Sequence, residues 1–236
     1  MNILGVDLSK RVCIVAEIGN QAEGDIGMAC TLIGIAKDAG CDAAKFQLAS
    51  TPPEGSTAPT WFNKEEFHAL TRFGQMIDMP VFASVFDHEA LDWVENYPAV
   101  KLSWGLRGRL DLLVEMQRRK RPIIVSCNTG LYHECDVLLH VVNNYPCASP
   151  ELGEVSRLVS ELSMGDEGPK ASHIGYSDHC IGIEAAVASV HHGARMVEKH
   201  ITWSHHYSKF RDHQHSAEPH ELREMVRRIR AAEEML

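Results

Sequence analysis

Two lysines in this chain, Lys45 and Lys101, lie inside short runs of apolar and β-branched residues. A lone charge buried in such a run is costly, so each must either pair with a carboxylate or face a polar cavity. Ser84, Asn143, Tyr145 and Ser177 fall in or just after similar runs. Two compact ammonium groups with neutral hydrogen-bonding groups around them suit a phosphate or carboxylate anion. His179 and His200 occur at the ends of two later runs. If those runs are neighbouring strands about 5 Å apart, the two imidazoles can share one divalent ion and leave its other positions to water or substrate oxygens. Asp178 and Glu198 flank the histidines as candidate partners for the rings. Glu17, at the end of the first run, and Asp212, in a loop near the C-terminus, are the carboxylates best placed to reach a substrate. A competing reading is a ring of salt bridges, with Lys45 paired to Glu17 and Lys101 to Glu198.

The elements that must position these groups follow a regular alternation. Eight strand-like runs are predicted at 12–18, 43–48, 81–86, 99–103, 123–126, 137–142, 173–177 and 196–201. Helical segments are predicted between and after them at 25–39, 64–77, 88–96, 110–119, 152–164, 183–192 and 220–235. In the last, Leu222, Met225, Val226 and Ile229 form a core-facing stripe, and Gly40 stands where a helix C-cap glycine belongs. Alternating β and α elements imply a parallel sheet. Here they describe a compact (β/α)₈ TIM barrel, a single domain over 1–236, whose fifth helix is cut to a turn or two between 126 and 137. The polar, Pro- and Gly-containing segment 49–58 reads as a loop on the catalytic face. The run 203–216 carries four histidines after the last strand; its spacing fits no closed zinc site, and surface placement is expected for each of them.

With 236 residues and 26.3 kDa, the chain is slightly short for such a barrel, which typically needs about 250 residues. A net charge of −9 argues against general nucleic-acid binding, which needs a basic stripe. No apolar run is long enough to span a bilayer and the N-terminus lacks a signal-peptide layout, so a cytoplasmic protein without membrane contact is expected. Seven scattered cysteines suit reduced, mostly buried thiols.

The segments Ala16-Glu-Ile-Gly19, Ala44-Lys-Phe-Gln47, Leu138-Leu-His140, Tyr145-Pro146, Gly175-Tyr-Ser-Asp-His179, Glu198-Lys-His-Ile-Thr202 and Asp212-His213 with Ser216-Ala-Glu-Pro219 form an ordered set. That set resembles the catalytic barrel of the sialic acid synthases, the N-acetylneuraminate synthase family, from about Arg11 to Leu236. The resemblance implies condensation of phosphoenolpyruvate with an N-acylmannosamine or related aldose, giving a 2-keto sugar acid and phosphate. It implies His179 and His200 as ligands of Mn²⁺ or Mg²⁺, and Lys45 and Lys101 as phosphoenolpyruvate-binding residues. Contacts from Ser84, Asn143, Tyr145 and Ser177 complete the implied substrate site, with Glu17 or Asp212 handling the attacking water. A homodimer is the family expectation.

The sequence departs from the family pattern at named places. Gln21 and Ala22 replace Asn-His after the first strand, and Trp104 and Leu106 replace a phosphate-contacting Ser and an acid after the fourth. Ser103, one position from Trp104, falls on the opposite side of an ideal strand. The second βα loop is short, and the family's C-terminal antifreeze-like domain has no counterpart in these residues. A barrel that binds anion and metal without turnover is therefore the alternative function.

Overall fold

Eight parallel strands close on themselves in a computed structural model that describes residues 2–52, 61–128, 134–162, 164 and 169–235. An N-terminal hairpin of β1 (Asn2–Ile3) and β2 (Val6–Asp7) precedes the barrel. Its strands are β3 (Cys13–Gly19), β4 (Ala43–Leu48), β5 (Val81–Val85), β6 (Val100–Leu102), β7 (Ile123–Cys127), β8 (Cys135–Val141), β9 (Ala171–Asp178) and β10 (Met196–His200). They pair in chain order, and β10 closes on β3. The surrounding helices are α1 (Ile26–Ala39), α2 (Lys64–Met76), α3 (His88–Trp93), α4 (Leu110–Arg118), α5 (Leu152–Leu162), α6 (Glu184–His191) and α7 (Pro219–Glu233). All eight predicted strands and seven predicted helices are present, most with ends shifted and β4 with its predicted bounds; the third helix stops at Trp93 rather than residue 96. The fifth-helix expectation falls partly on 129–133 and the loop expectation largely on 53–58, both outside the described residues.

Strand alternation divides the barrel interior into two halves. At the N-terminal end the inward positions Val15, Ala43, Phe82, Ala99, Ile124, Leu139 and Met196 form one buried apolar cluster. Ile3, Leu4, Val6 and Leu8 of the hairpin join that cluster, so the hairpin stoppers the lower mouth. The sequence reading missed this hairpin, because two-residue strands carry no periodicity. Two residues further along these strands, the inward positions become Glu17, Lys45, Ser84, Lys101, Ser126, Val141 and Glu198, while Ser177 follows Gly175 on β9. The outward residues, such as Ile14, Phe46, Val125 and Val197, belong to a second cluster shared with the helices. The polar groups thus stand at the C-terminal mouth, above a dry floor.

Gly175 shows how tight that floor is. A Cβ there would lie 2.5 Å from Leu139 Cδ2 and 2.5 Å from the Met196 carbonyl oxygen. Gly175→Ala should destabilise the fold by about 1–3 kcal/mol through overpacking, read as a lowered denaturant midpoint.

Candidate active site

Four buried charges set the geometry of the mouth. Lys45 ion-pairs with Glu17, and its Nζ lies 3.6 Å from Glu198. Lys101 donates to Glu198 Oε1 at 2.5 Å, and Ser177 donates to the same oxygen at 2.9 Å. Lys45 also donates to Ser84 Oγ at 3.0 Å. The salt-bridge ring considered from sequence therefore exists, and it also lines a small cavity of about 40 Å³. Burial pulls the Lys45 ammonium down to about 7 despite the opposing pull of Glu198. Burial would raise Glu198, but the charges of Lys101 and Lys45 outweigh it and hold the carboxyl at about 2.

Eight of the ten candidate residues line this cavity: Glu17, Lys45, Ser84, Lys101, Tyr145, Ser177, His179 and His200. Two do not. Asn143 is exposed in the loop after β8 and faces a separate pocket, which Trp104 borders along with the cavity. Asp212 lies in a short 3₁₀ turn, Arg211–His215, where its carboxylate accepts from Arg211 Nε at 3.2 Å. Ser103 lines the cavity two residues after Lys101, on the side where strand alternation places it, and Trp104 joins it because β6 ends at Leu102 and the chain turns into a 3₁₀ segment, Trp104–Leu106.

The two imidazoles sit 5.5 Å apart between ring centroids, and Tyr145 stacks on His179 at 4.1 Å. Neither Asp178 nor Glu198 touches a ring, contrary to the expectation from sequence. His179 Nδ1–H instead donates to the Val142 carbonyl at 3.1 Å, and His200 Nδ1 is hydrogen-bonded to the Gln21 amide at 2.7 Å. Gln21 reaches this ring because Gly19, at φ 51° beside a β-bulge, turns the chain back over the strand end. A Cβ at Gly19 would lie 2.9 Å from Gln21 Oε1 and 3.1 Å from Glu17 Oε1, so that turn needs glycine.

The donor set fits a divalent ion held by two side chains. Val142 engages Nδ1 of His179, and Gln21 engages Nδ1 of His200, leaving both Nε2 atoms as the candidate ligating nitrogens. A half-turn of the Gln21 amide would present its oxygen, which has no protein partner, to a protonated His200 Nδ1. Among the described residues no three His, Cys, Asp or Glu side chains gather into a ligand set, so the remaining positions would fall to water or substrate oxygens.

Sequence reasoning missed several contributors. Ser126 and Trp104 line the cavity beside Glu17 and Glu198, and Ser126 Oγ, Trp104 Nε1, Glu17 Oε1 and Glu198 Oε2 are buried without a protein hydrogen-bond partner. His213 and His215 are buried rather than at the surface; His213 bonds Thr202 and Glu23. His215 packs 5.2 Å from His200 and 5.3 Å from Tyr145 between ring centroids. The four-histidine run was the available signal, but spacing alone did not separate its buried members from its exposed ones.

A model of the NeuB family matches residues 55–236. This chain belongs to the NeuB family. It is 30% identical over 264 residues to the N-acetylneuraminate-9-phosphate synthase of Mus musculus, covering 96% of this chain and 72% of that protein. It is 26% identical over 276 residues to the N,N'-diacetyllegionaminic acid synthase of Legionella pneumophila, covering 97% and 74% respectively. The crystal structure of an N-acetylneuraminic acid synthetase from Leptospira borgpetersenii, in complex with citrate, superposes with a TM-score of 0.82 at 28% identity, covering 95% of this chain and 85% of that one. A truncated 3-deoxy-D-arabino-heptulosonate 7-phosphate synthase from Thermotoga maritima, 12% identical with a TM-score of 0.73, shares the fold. This NeuB-family chain is thus a barrel related to synthases of sugar acids.

The histidine cluster makes a prediction about pH. Burial pulls His179 and His215 down to about 4, and it pulls His200 well below its ordinary value, helped by the two neighbouring imidazoles. The unfolded chain therefore takes up protons near pH 6.5 that the folded chain refuses. Stability should rise with pH between about 4 and 6.5 and then level off as far as these groups are concerned. Urea midpoints measured across this range in wild type and His215→Gln should show a shallower rise in the variant.

Proposed function

We propose that this NeuB-family barrel condenses phosphoenolpyruvate with an N-acylmannosamine or related aldose and releases phosphate. The observation that carries this reading is the pair of buried ammonium groups, Lys45 and Lys101, facing one cavity with the imidazoles of His179 and His200. The names of the relatives and the citrate bound by the Leptospira relative, a small carboxylate anion, support it.

In this reading Lys45, Lys101, Ser84 and Ser177 bind the phosphate and carboxylate of phosphoenolpyruvate, competing with Glu17 and Glu198 for the ammonium groups. Ser126 and Trp104 add donors from the same wall. His179 and His200 hold Mn²⁺ or Mg²⁺, which when bound supplies Lewis-acid polarisation of the aldehyde oxygen. C3 of the enol forms the new bond to the aldehyde carbon, water adds at C2, and the resulting phosphohemiketal collapses with loss of phosphate. Glu17 is the carboxylate for that water, since it lines the cavity and its Oε1 has no protein partner, while Asp212 is engaged by Arg211 outside it. Tyr145 packs over His179 and shields that end of the site.

A phosphate-release assay with phosphoenolpyruvate, Mn²⁺ and a panel of N-acylmannosamines tests the proposal. Release should require both substrates and disappear in His179→Ala; no release above that control across the panel counts against it. Lys101→Ala should weaken phosphoenolpyruvate binding about tenfold or more, the scale of a charge-assisted bond, in a variant first shown to melt cooperatively. Unchanged calorimetric affinity would remove Lys101 from the anion site. A second reading, binding without turnover, rests on Trp104, which borders the cavity where the family carries serine; phosphoenolpyruvate binding without phosphate release would mark it.

A further inference from the structure

The barrel face turned toward the helices is apolar around one buried charge pair. β9 presents Ile174 and Tyr176 there, and β10 with its extension presents Val197 and Ile201. Asp178 and Lys199 are register partners in this layer and are fully buried. Every other buried carboxylate or ammonium among the described residues lines the cavity. Matched apolar residues would often serve stability as well as such a pair, so its contacts point to a different role. Lys199 Nζ donates to Asp178 Oδ2 at 3.0 Å and to the Cys180 carbonyl at 2.5 Å. Asp178 Oδ1 accepts from the Cys180 N–H at 3.0 Å and from the Tyr176 hydroxyl at 3.3 Å. These bonds close around residues 178–180, with His179 in the middle. On the opposite side, the His179 carbonyl accepts from the Cys147 N–H at 2.9 Å, while its ring donates to Val142.

We propose that Lys199 is a positioning residue for His179. By clamping the residue before His179 and the residue after it, Lys199 holds the strand end so that Nδ1–H meets Val142 and Nε2 remains for the cavity. One stretch of β10 then supplies Glu198 and His200 to the cavity and, from the opposite face, the clamp on His179. The link to metal binding rests on the function proposed above; the link to ring orientation does not.

The test is the double variant Asp178→Leu/Lys199→Met, which removes both charges and strands neither, compared with wild type at pH 7.5. Two readouts apply: the protonated nitrogen of His179, from ¹⁵N-histidine NMR assigned with His179→Gln, and Mn²⁺ affinity by calorimetry. The variant should melt cooperatively, lose the single Nδ1–H signature of His179 and bind Mn²⁺ about 10–100-fold more weakly, the range for groups that orient a metal ligand. A folded variant that keeps both the tautomer and the affinity overturns the proposal. If the double variant does not fold, Asp178→Asn, which keeps the shape and removes the charge, is judged on the same readouts. Wild type with the ordered tautomer but no Mn²⁺ binding would refute the metal reading alone, and the tautomer comparison would still decide the clamp.

Discussion

The placement of four charges inside a closed sheet governs this molecule. Glu17, Lys45, Lys101 and Glu198 are almost fully excluded from water, and none could remain ionised there alone. Their mutual contacts, with Ser84 and Ser177, make the upper barrel tolerable to them. The apolar floor and the N-terminal hairpin make the lower barrel dry. A site built this way is organised before any ligand arrives. In the proposed function, an incoming anion would take over ammonium groups already fixed in place, while the carboxylates would turn to substrate hydroxyls or water.

The histidines depend on a second layer of contacts that differs between them. His179 is held by backbone: the Val142 carbonyl at its ring, and Cys147 and the Asp178–Cys180 turn at its main chain. His200 is held by a side chain, Gln21, brought over it by the left-handed Gly19 and joined there to Ser216. Gln21, one of the departures from the family pattern, thus places its amide on the imidazole, and Ala22 packs into the apolar core.

The barrel was legible in the sequence because parallel strands covered by helices must be almost wholly apolar. Against that background Lys45, Lys101, Glu198 and His200 announced themselves. The same logic failed beyond the strand ends. Asn143 and Asp212 stand past strand ends and also match the family's motifs, yet their loops leave the first exposed and the second bound to Arg211. His215 looked like one member of a surface run but is buried against Tyr145 and His200. Trp104 could be recognised as a departure from the family, but not as a residue shared between two cavities.

The sequence by itself determined the number and order of the βα units, the face on which polar groups gather and the identity of the buried charges, since period and burial cost are local properties of a strand. Only the tertiary structure decided the partners: that Lys45 meets both Glu17 and Glu198, that Gln21 rather than a carboxylate holds His200, and that Asp178 belongs to Lys199 on the outer face. Those pairings depend on barrel closure and strand stagger, which bring together side chains far apart in the chain at distances of a few ångströms.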